Sequence, residues 1–228
     1  MQLRSVVPER LIVREPNGTP EAVSVVSSYL AMTDLFDTPP IPGLATTDDL
    51  VTHDEEQALI AAIDDCELTP FRFQGWEGKR LTTSFGFNYD FDTQRVARAD
   101  PIPKWLLPIR SRVAAFAGLE PDLLIQALLI RYDPGAGIGW HRDRPIYEHI
   151  LGLSLGAPAN MRFRRRKQNG GFHRLSVPLE PRAAYHLSNE ARHHWEHSIV
   201  EMDEPRWSIT FRTASIKWKM SAEDTPTM

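Results

Sequence analysis

The chain has 228 residues, 42% of them apolar and 25% charged, enough to bury one sizeable core and a tight fit for a second full domain. Its single cysteine, Cys66, excludes an intrachain disulfide and a thiolate cluster, so a metal site has to be built from His, Asp and Glu. The formal net charge of −4 argues against a protein that coats polyanions wholesale, and it leaves room for a local basic face.

Residues 1–45 carry Pro8, Pro16, Pro20, Pro39, Pro40 and Pro42 and show no sustained hydrophobic period. They read as a poorly ordered or loosely docked extension ahead of a domain spanning 46–228. Charges scattered through the opening segment interrupt the apolar core that a signal peptide needs. No apolar run approaches the roughly 20 residues of a membrane span, so the expectation is a cytoplasmic monomer without membrane contact. From Thr52 a capped helix is predicted, with Asp54, Glu55 and Glu56 in its first turn and Leu59, Ile60 and Ile63 on its buried face; its acids read as a solvated surface.

Residues 76–92, WEGKRLTTSFGFNYDFD, mix aromatics, glycines and adjacent basic residues and suit a hairpin or lid over a cleft. A second helix is predicted from Trp105 to about Phe116, where Trp105, Leu106, Ile109, Val113 and Phe116 recur at helical spacing. Short strand-like runs follow: LLIQALLIRY, HILGLSLG, NMRFRRR, HRLSVPL, AAYHLS, HSIV and WSITFRTA, separated by turn signals such as Pro134-Gly135 and Gly170-Gly171. Helices first and many strands after them indicate an α+β chain with a two-sheet jelly-roll core.

The segment YDPGAGIGWHRDRP concentrates the chemistry. In extended backbone His141 and Asp143 point to one side and Arg142 to the other, supplying an imidazole and a carboxylate to one ion. These are two members of a 2-His-1-carboxylate triad, which leaves positions open for a bidentate cosubstrate and O2. Downstream candidates for the third ligand are His173, His186, His193, His194 and His197. His193 and His194 sit in a polar turn, whereas His197 opens a strand and is favoured. An isolated His-x-Asp is more often a surface pair than a ligand set. The triplet His141-Arg142-Asp143 also mimics a kinase catalytic loop, but the accompanying glycine loop, lysine and Asp-Phe-Gly do not occur in order. Arg206 and Arg212, six positions apart on RWSITFR, share a strand face. A dicarboxylate that chelates iron through its 2-oxo acid end needs a cation for its far carboxylate, a task that suits Arg206.

The ordered set Tyr132, Pro134-Gly135, Trp140-His141-Arg142-Asp143, Trp195-Glu196-His197-Ser198-Ile199, Arg206 and Ser208-Ile209-Thr210-Phe211-Arg212 resembles the AlkB family of 2-oxoglutarate oxygenases over roughly residues 70–214. The resemblance implies a double-stranded β-helix core with flanking N-terminal helices and a lid hairpin. It implies Fe(II) on His141, Asp143 and His197, with 2-oxoglutarate and O2 as cosubstrates. It further implies that Arg206 binds the far carboxylate, that Tyr132 and Ser208 contact the same cosubstrate, and that Arg212 lines the pocket. Two positions depart from the family pattern: Pro145 stands where an acidic base-contacting residue is expected, and Ser208 replaces an amide.

What the family typically does is remove alkyl groups from nucleobases, which makes alkylated DNA or RNA the expected partner. Aldehyde, succinate and CO2 would be the products, and alkylation damage repair the role. Trp76, Arg80 and Tyr89, with Arg162 and Arg164 of the basic run RFRRRK, are the candidate substrate contacts. Phe85 and Phe87 could also stack on a base, although aromatics at such spacing more often belong to a core. Two other readings stay open: a hydroxylase of a protein side chain or small metabolite, and a non-catalytic jelly-roll binding module.

Overall fold

The computed structural model describes residues 40–73, 76–90 and 95–215. In chain order they form β1 (Leu44–Thr47), α1 (His53–Asp64), β2 (Thr69–Phe73), β3 (Trp76–Phe85), β4 (Phe87–Asp90), β5 (Arg95–Arg98), α2 (Leu107–Ala117), β6 (Leu124–Tyr132), β7 (Ile138–His141), β8 (Tyr147–Gly156), β9 (Ala159–Arg166), β10 (Phe172–Leu179), β11 (Ala184–Leu187), α3 (Asn189–His193), β12 (Glu196–Ile199) and β13 (Arg206–Ala214). Seven strands build a large sheet in the order β1-β11-β8-β13-β6-β3-β2. Four build a small one, β10-β9-β12-β7, and β4 pairs with β5 alone. Neighbouring strands run antiparallel throughout both larger sheets. One apolar cluster joins Ile130 and Tyr132 of the large sheet to Met161, Phe163 and Ile199 of the small one, so the sheets enclose a common interior. This is the jelly-roll, double-stranded β-helix core.

Helices α1 and α2 cover the opposite face of the large sheet. Thr52 caps α1 through a reciprocal box: Glu55 N donates to Thr52 Oγ1 at 3.2 Å and Thr52 N donates to Glu55 Oε2 at 2.8 Å, a device contributing roughly 1 kcal/mol. Leu59 and Ile63 of α1 and Ile109 and Val113 of α2 pack with Leu151, Leu153 and Phe211 in a second apolar cluster. Glu56 departs from the expected solvated face. It is 3% exposed, accepting from Gly156 N at 2.9 Å and Arg182 Nη1 at 3.2 Å. A carboxylate can be buried there because a backbone amide and a guanidinium replace its water. The second helix starts later than its periodicity suggests: Trp105 and Leu106 lie in a 3-10 turn, and Pro108, lacking an N–H, is confined to the first turn of α2.

Two other segments also differ from the sequence reading. Ile41 and Leu44 are buried, and β1 pairs with β11, so the described fold takes in residues before position 46. Most of the expected extension, 1–39, lies outside the described residues. The segment expected to be a lid divides in two. β3 joins the large sheet against β6, while β4 and β5 form a separate hairpin. No described helix is long and apolar enough to cross a membrane.

Candidate metal centre and cosubstrate cleft

Strand pairing brings together ligands that are 56 positions apart in the chain. His197 on β12 and His141 at the end of β7 are direct cross-strand partners, and their ring centroids lie 4.3 Å apart. Asp143 follows two residues beyond His141, where the strand has ended, and its Oδ2 lies 3.6 Å from His197 Nε2. One ligand atom from each of the three falls within 4.8 Å of the others, the one such His/Cys/Asp/Glu group found among the described residues.

The surroundings prepare these groups for a cation. His141 Nδ1 lies 2.9 Å from Gly139 O; donation to that carbonyl leaves the Nε2 lone pair free. Burial pushes His141 below its ordinary pKa and His197 down to about 3, so both imidazoles are neutral. Burial alone would raise Asp143. The Arg212 guanidinium outweighs that and holds its carboxyl well below the usual range. Arg212 does this directly, donating to Asp143 Oδ1 from Nε at 3.1 Å and Nη2 at 2.9 Å, which leaves Oδ2 for a metal. Two neutral nitrogens and one carboxylate oxygen match ferrous iron.

The triad opens into a cleft of about 1390 Å³ between the sheets. Its wall includes Arg206, Ser208, Thr210 and Arg212, alternate residues of β13 that all face one way. Arg206 is 1% exposed. Its Nε donates to Ser154 Oγ at 3.2 Å and its guanidinium lies 5.2 Å from the centre of the Tyr132 ring, its cross-strand partner. Its Nη1 is buried with no hydrogen-bond partner among the described residues. A buried, undersatisfied guanidinium is costly unless an anion completes it, and a carboxylate is the anion that fits its fork. The far carboxylate of 2-oxoglutarate answers both requirements.

Arg80 on β3 also enters the cleft: it is 9% exposed, its Nε lacks a partner among the described residues, and it lies 3.9 Å from the centre of the Phe71 ring. Pro145 stands exposed at the cleft mouth. The side chains of Trp76 and Tyr89 lie outside the described residues. Arg162 and Arg164 are not brought into the cleft. Their strand turns Met161 and Phe163 inward and the arginines outward, because neighbours on a strand alternate.

Some participants were not foreseen. Tyr185 on β11 crosses Gly152 on β8 to reach Thr210; a Cβ at position 152 would collide with its ring. Burial and the Asp143 charge push its hydroxyl up to about 12. Arg192 of α3 is buried and donates to the carbonyls of Arg144 and Tyr147, bracing the loop beyond Asp143. Ser154 alone had a signal in the sequence, as a hydroxyl within the otherwise apolar run HILGLSLG.

A jelly roll holding an iron-type facial triad beside a buried, undersatisfied arginine has the groups that a 2-oxoglutarate-dependent iron oxygenase needs. The chain belongs to the 2OG-Fe(II) oxygenase superfamily, whose model matches residues 67–213, and it is similar to proteins of the AlkB type. Among similar proteins is the alkylated DNA repair protein ALKBH8 homolog of Arabidopsis thaliana, 29% identical over 184 residues, covering 70% of this chain and 51% of the relative. Another is the tRNA (carboxymethyluridine(34)-5-O)-methyltransferase alkbh8 of Xenopus tropicalis, 30% identical over 168 residues, covering 70% and 25% respectively. The chain thus spans about half and a quarter of the lengths of these relatives. The OsALKBH1 structure shares the fold, with a TM-score of 0.60 at 15% identity, covering 75% of this chain and 96% of that one.

Proposed function

We propose that the cleft oxidises an alkyl carbon carried on a nucleobase of DNA or RNA. The observation that carries this reading is the size and lining of the cleft. At about 1390 Å³ it exceeds the roughly 300–1,000 Å³ of ordinary small-molecule sites, leaving room for a base beside the cosubstrate. Two relatives are named for alkylated DNA repair and for tRNA modification, which supports a nucleic-acid substrate and favours RNA as well as DNA.

His141, Asp143 and His197 would hold the iron, Arg206 the far carboxylate of 2-oxoglutarate, and Tyr132 and Ser208 the same cosubstrate. When bound, ferrous iron with O2 and 2-oxoglutarate supplies the oxidant, with succinate and CO2 formed. One oxygen atom enters succinate and the other a substrate C–H bond, so an N-methyl group becomes N-hydroxymethyl and then departs as formaldehyde. Arg212 keeps Asp143 ionised throughout, and Arg80, buried beside Phe71, faces the remaining space as an anchor for the substrate. Alkylation damage repair is the role this chemistry fits.

The test is formaldehyde and succinate formation by the iron-loaded chain given N1-methyladenine or N3-methylcytosine oligonucleotides, with unmethylated oligonucleotides as controls. Methyl-dependent formaldehyde is expected. Succinate formed at the same rate with and without methylated base, and no formaldehyde, would overturn the nucleobase assignment in favour of a protein side chain or metabolite.

A further inference from the structure

The outer face of the small sheet carries an arrangement that the cleft does not use. From His149 to Leu179 the chain has no Asp or Glu, but it has Arg162, Arg164, Arg165, Arg166, Lys167 and Arg174, a strong local excess of positive charge in a chain of net charge −4. Cross-strand register sets Arg174 beside Arg164 and Ser176 beside Arg162, all pointing away from the core. Aromatic rings are interleaved with these cations. Arg162 and Arg164 lie 5.1 and 4.5 Å from the centre of the Trp140 ring, and Arg164 and Arg174 lie 4.7 and 5.2 Å from that of Phe172. Arg164 is paired with Glu196 at 2.5 Å and Arg165 with Glu190 at 2.7 Å. Arg166, Lys167 and Arg174 are exposed and have no acidic partner among the described residues.

Basic residues at a sheet edge commonly serve only to discourage aggregation. Strand β9 is not an edge: it lies between β10 and β12, so its arginines occupy the face of the sheet. That face is continuous with the cleft, because Trp140 and Glu196 line the cleft mouth and also touch the arginines. Alternate residues on a strand stand about 6.8 Å apart, a repeat of the same order as that of an extended nucleotide chain. Cations set among stackable rings are the construction used for single strands.

We infer that this face is a track for single-stranded nucleic acid, holding the phosphates that flank the nucleotide in the cleft. The inference rests on the nucleobase reading above. The occupant is a nucleic acid and not an acidic peptide because rings alternate with the cations and the track runs into the cleft.

The experiment measures binding of a fluorescein-labelled, unmodified single-stranded RNA oligonucleotide to the full chain by anisotropy across a salt series. The variant is R166E/R174E, paired with R166Q/R174Q and a melting temperature for each as a check on folding. If two phosphate contacts are lost, the slope of log K against log salt becomes shallower by about 1.4, and affinity at low salt falls several-fold, more with Glu than with Gln. Unchanged affinity and slope in folded variants would overturn the inference, as would equally tight, equally variant-sensitive binding of inorganic polyphosphate. Absence of oligonucleotide binding by the unmodified chain would overturn it together with the nucleobase reading. Face-dependent binding without methyl-dependent turnover would sink the base chemistry alone, and turnover with face-independent binding would sink this inference alone.

Discussion

The two faces of β13 differ in kind although they share one backbone. Toward the helices it presents Trp207, Ile209 and Phe211, packed with an apolar cluster from α1, α2, β6 and β8. Toward the cleft it presents Arg206, Ser208, Thr210 and Arg212, where Arg206 keeps a polar atom without a partner among the described residues. The helix face is saturated by its neighbours and holds the fold together. The cleft face instead gathers polar and charged side chains beside the His141, Asp143 and His197 group. Within that face the arginines also divide. Arg212 is neutralised by Asp143 and belongs to the structure as well as the site, whereas Arg206 Nη1 has no hydrogen-bond partner among the described residues.

The largest expected effects test that division by stability. Phe211→Ala should cost about 3–5 kcal/mol, a cavity being left in the helix-backed core, measured by urea unfolding. Arg212→Met should cost a similar 3–5 kcal/mol, because it strands the buried Asp143 carboxylate without its counter-charge. Arg206→Met should behave oppositely: unfolding midpoint unchanged or raised, since an undersatisfied guanidinium is exchanged for an apolar chain. Its cost should appear instead in the KM for 2-oxoglutarate, rising about 10- to 100-fold for a lost charge-assisted hydrogen bond of about 1.5–3 kcal/mol. If Arg206→Met unfolded as readily as Arg212→Met, the contrast between the two arginines would be broken.

The smallest effect concerns pH. His149 Nδ1 lies 2.9 Å from His186 Nε2, away from the triad. Burial and then the neighbouring ring push His186 from 6.5 down to about 4. The unfolded chain takes up a proton at this residue below its ordinary value while the folded chain does not until about pH 4. Stability is therefore lost as pH falls from about 6.5 to about 4. His186→Asn should flatten the pH dependence of the urea midpoint across that window, and an unaltered slope would count against the assignment.

Much of this was legible in the chain because it depends on local period. The strand alternation in RWSITFR places Arg206 and Arg212 on one side, and the two-residue spacing of His141 and Asp143 converges them even though β7 ends between them. The third ligand, His197, could be preferred on its strand context, since its pairing with His141 is a matter of sheet order. What was not legible depends on long-range contact. Helical period does set Glu56, unlike Asp54 and Glu55, on the face of Leu59 and Ile63, but the partner that allows a carboxylate there, the Gly156 amide, is a long-range contact. Arg192, within a polar run, is buried only because α3 turns it beneath the loop after Asp143. The basic run RFRRRK stood out in the sequence, but that Arg162 and Arg164 face outward depends on Met161 and Phe163 claiming the interior.

The most direct test of the central claim is succinate production from 2-oxoglutarate under O2 by the anaerobically iron-loaded chain, compared with His141→Ala of verified folding. Iron-dependent succinate from the unmodified chain, lost in the variant, is the predicted result. No succinate from verified iron-bound protein, or equal production by the variant, would contradict the assignment of His141, Asp143 and His197 as the metal centre of an oxygenase.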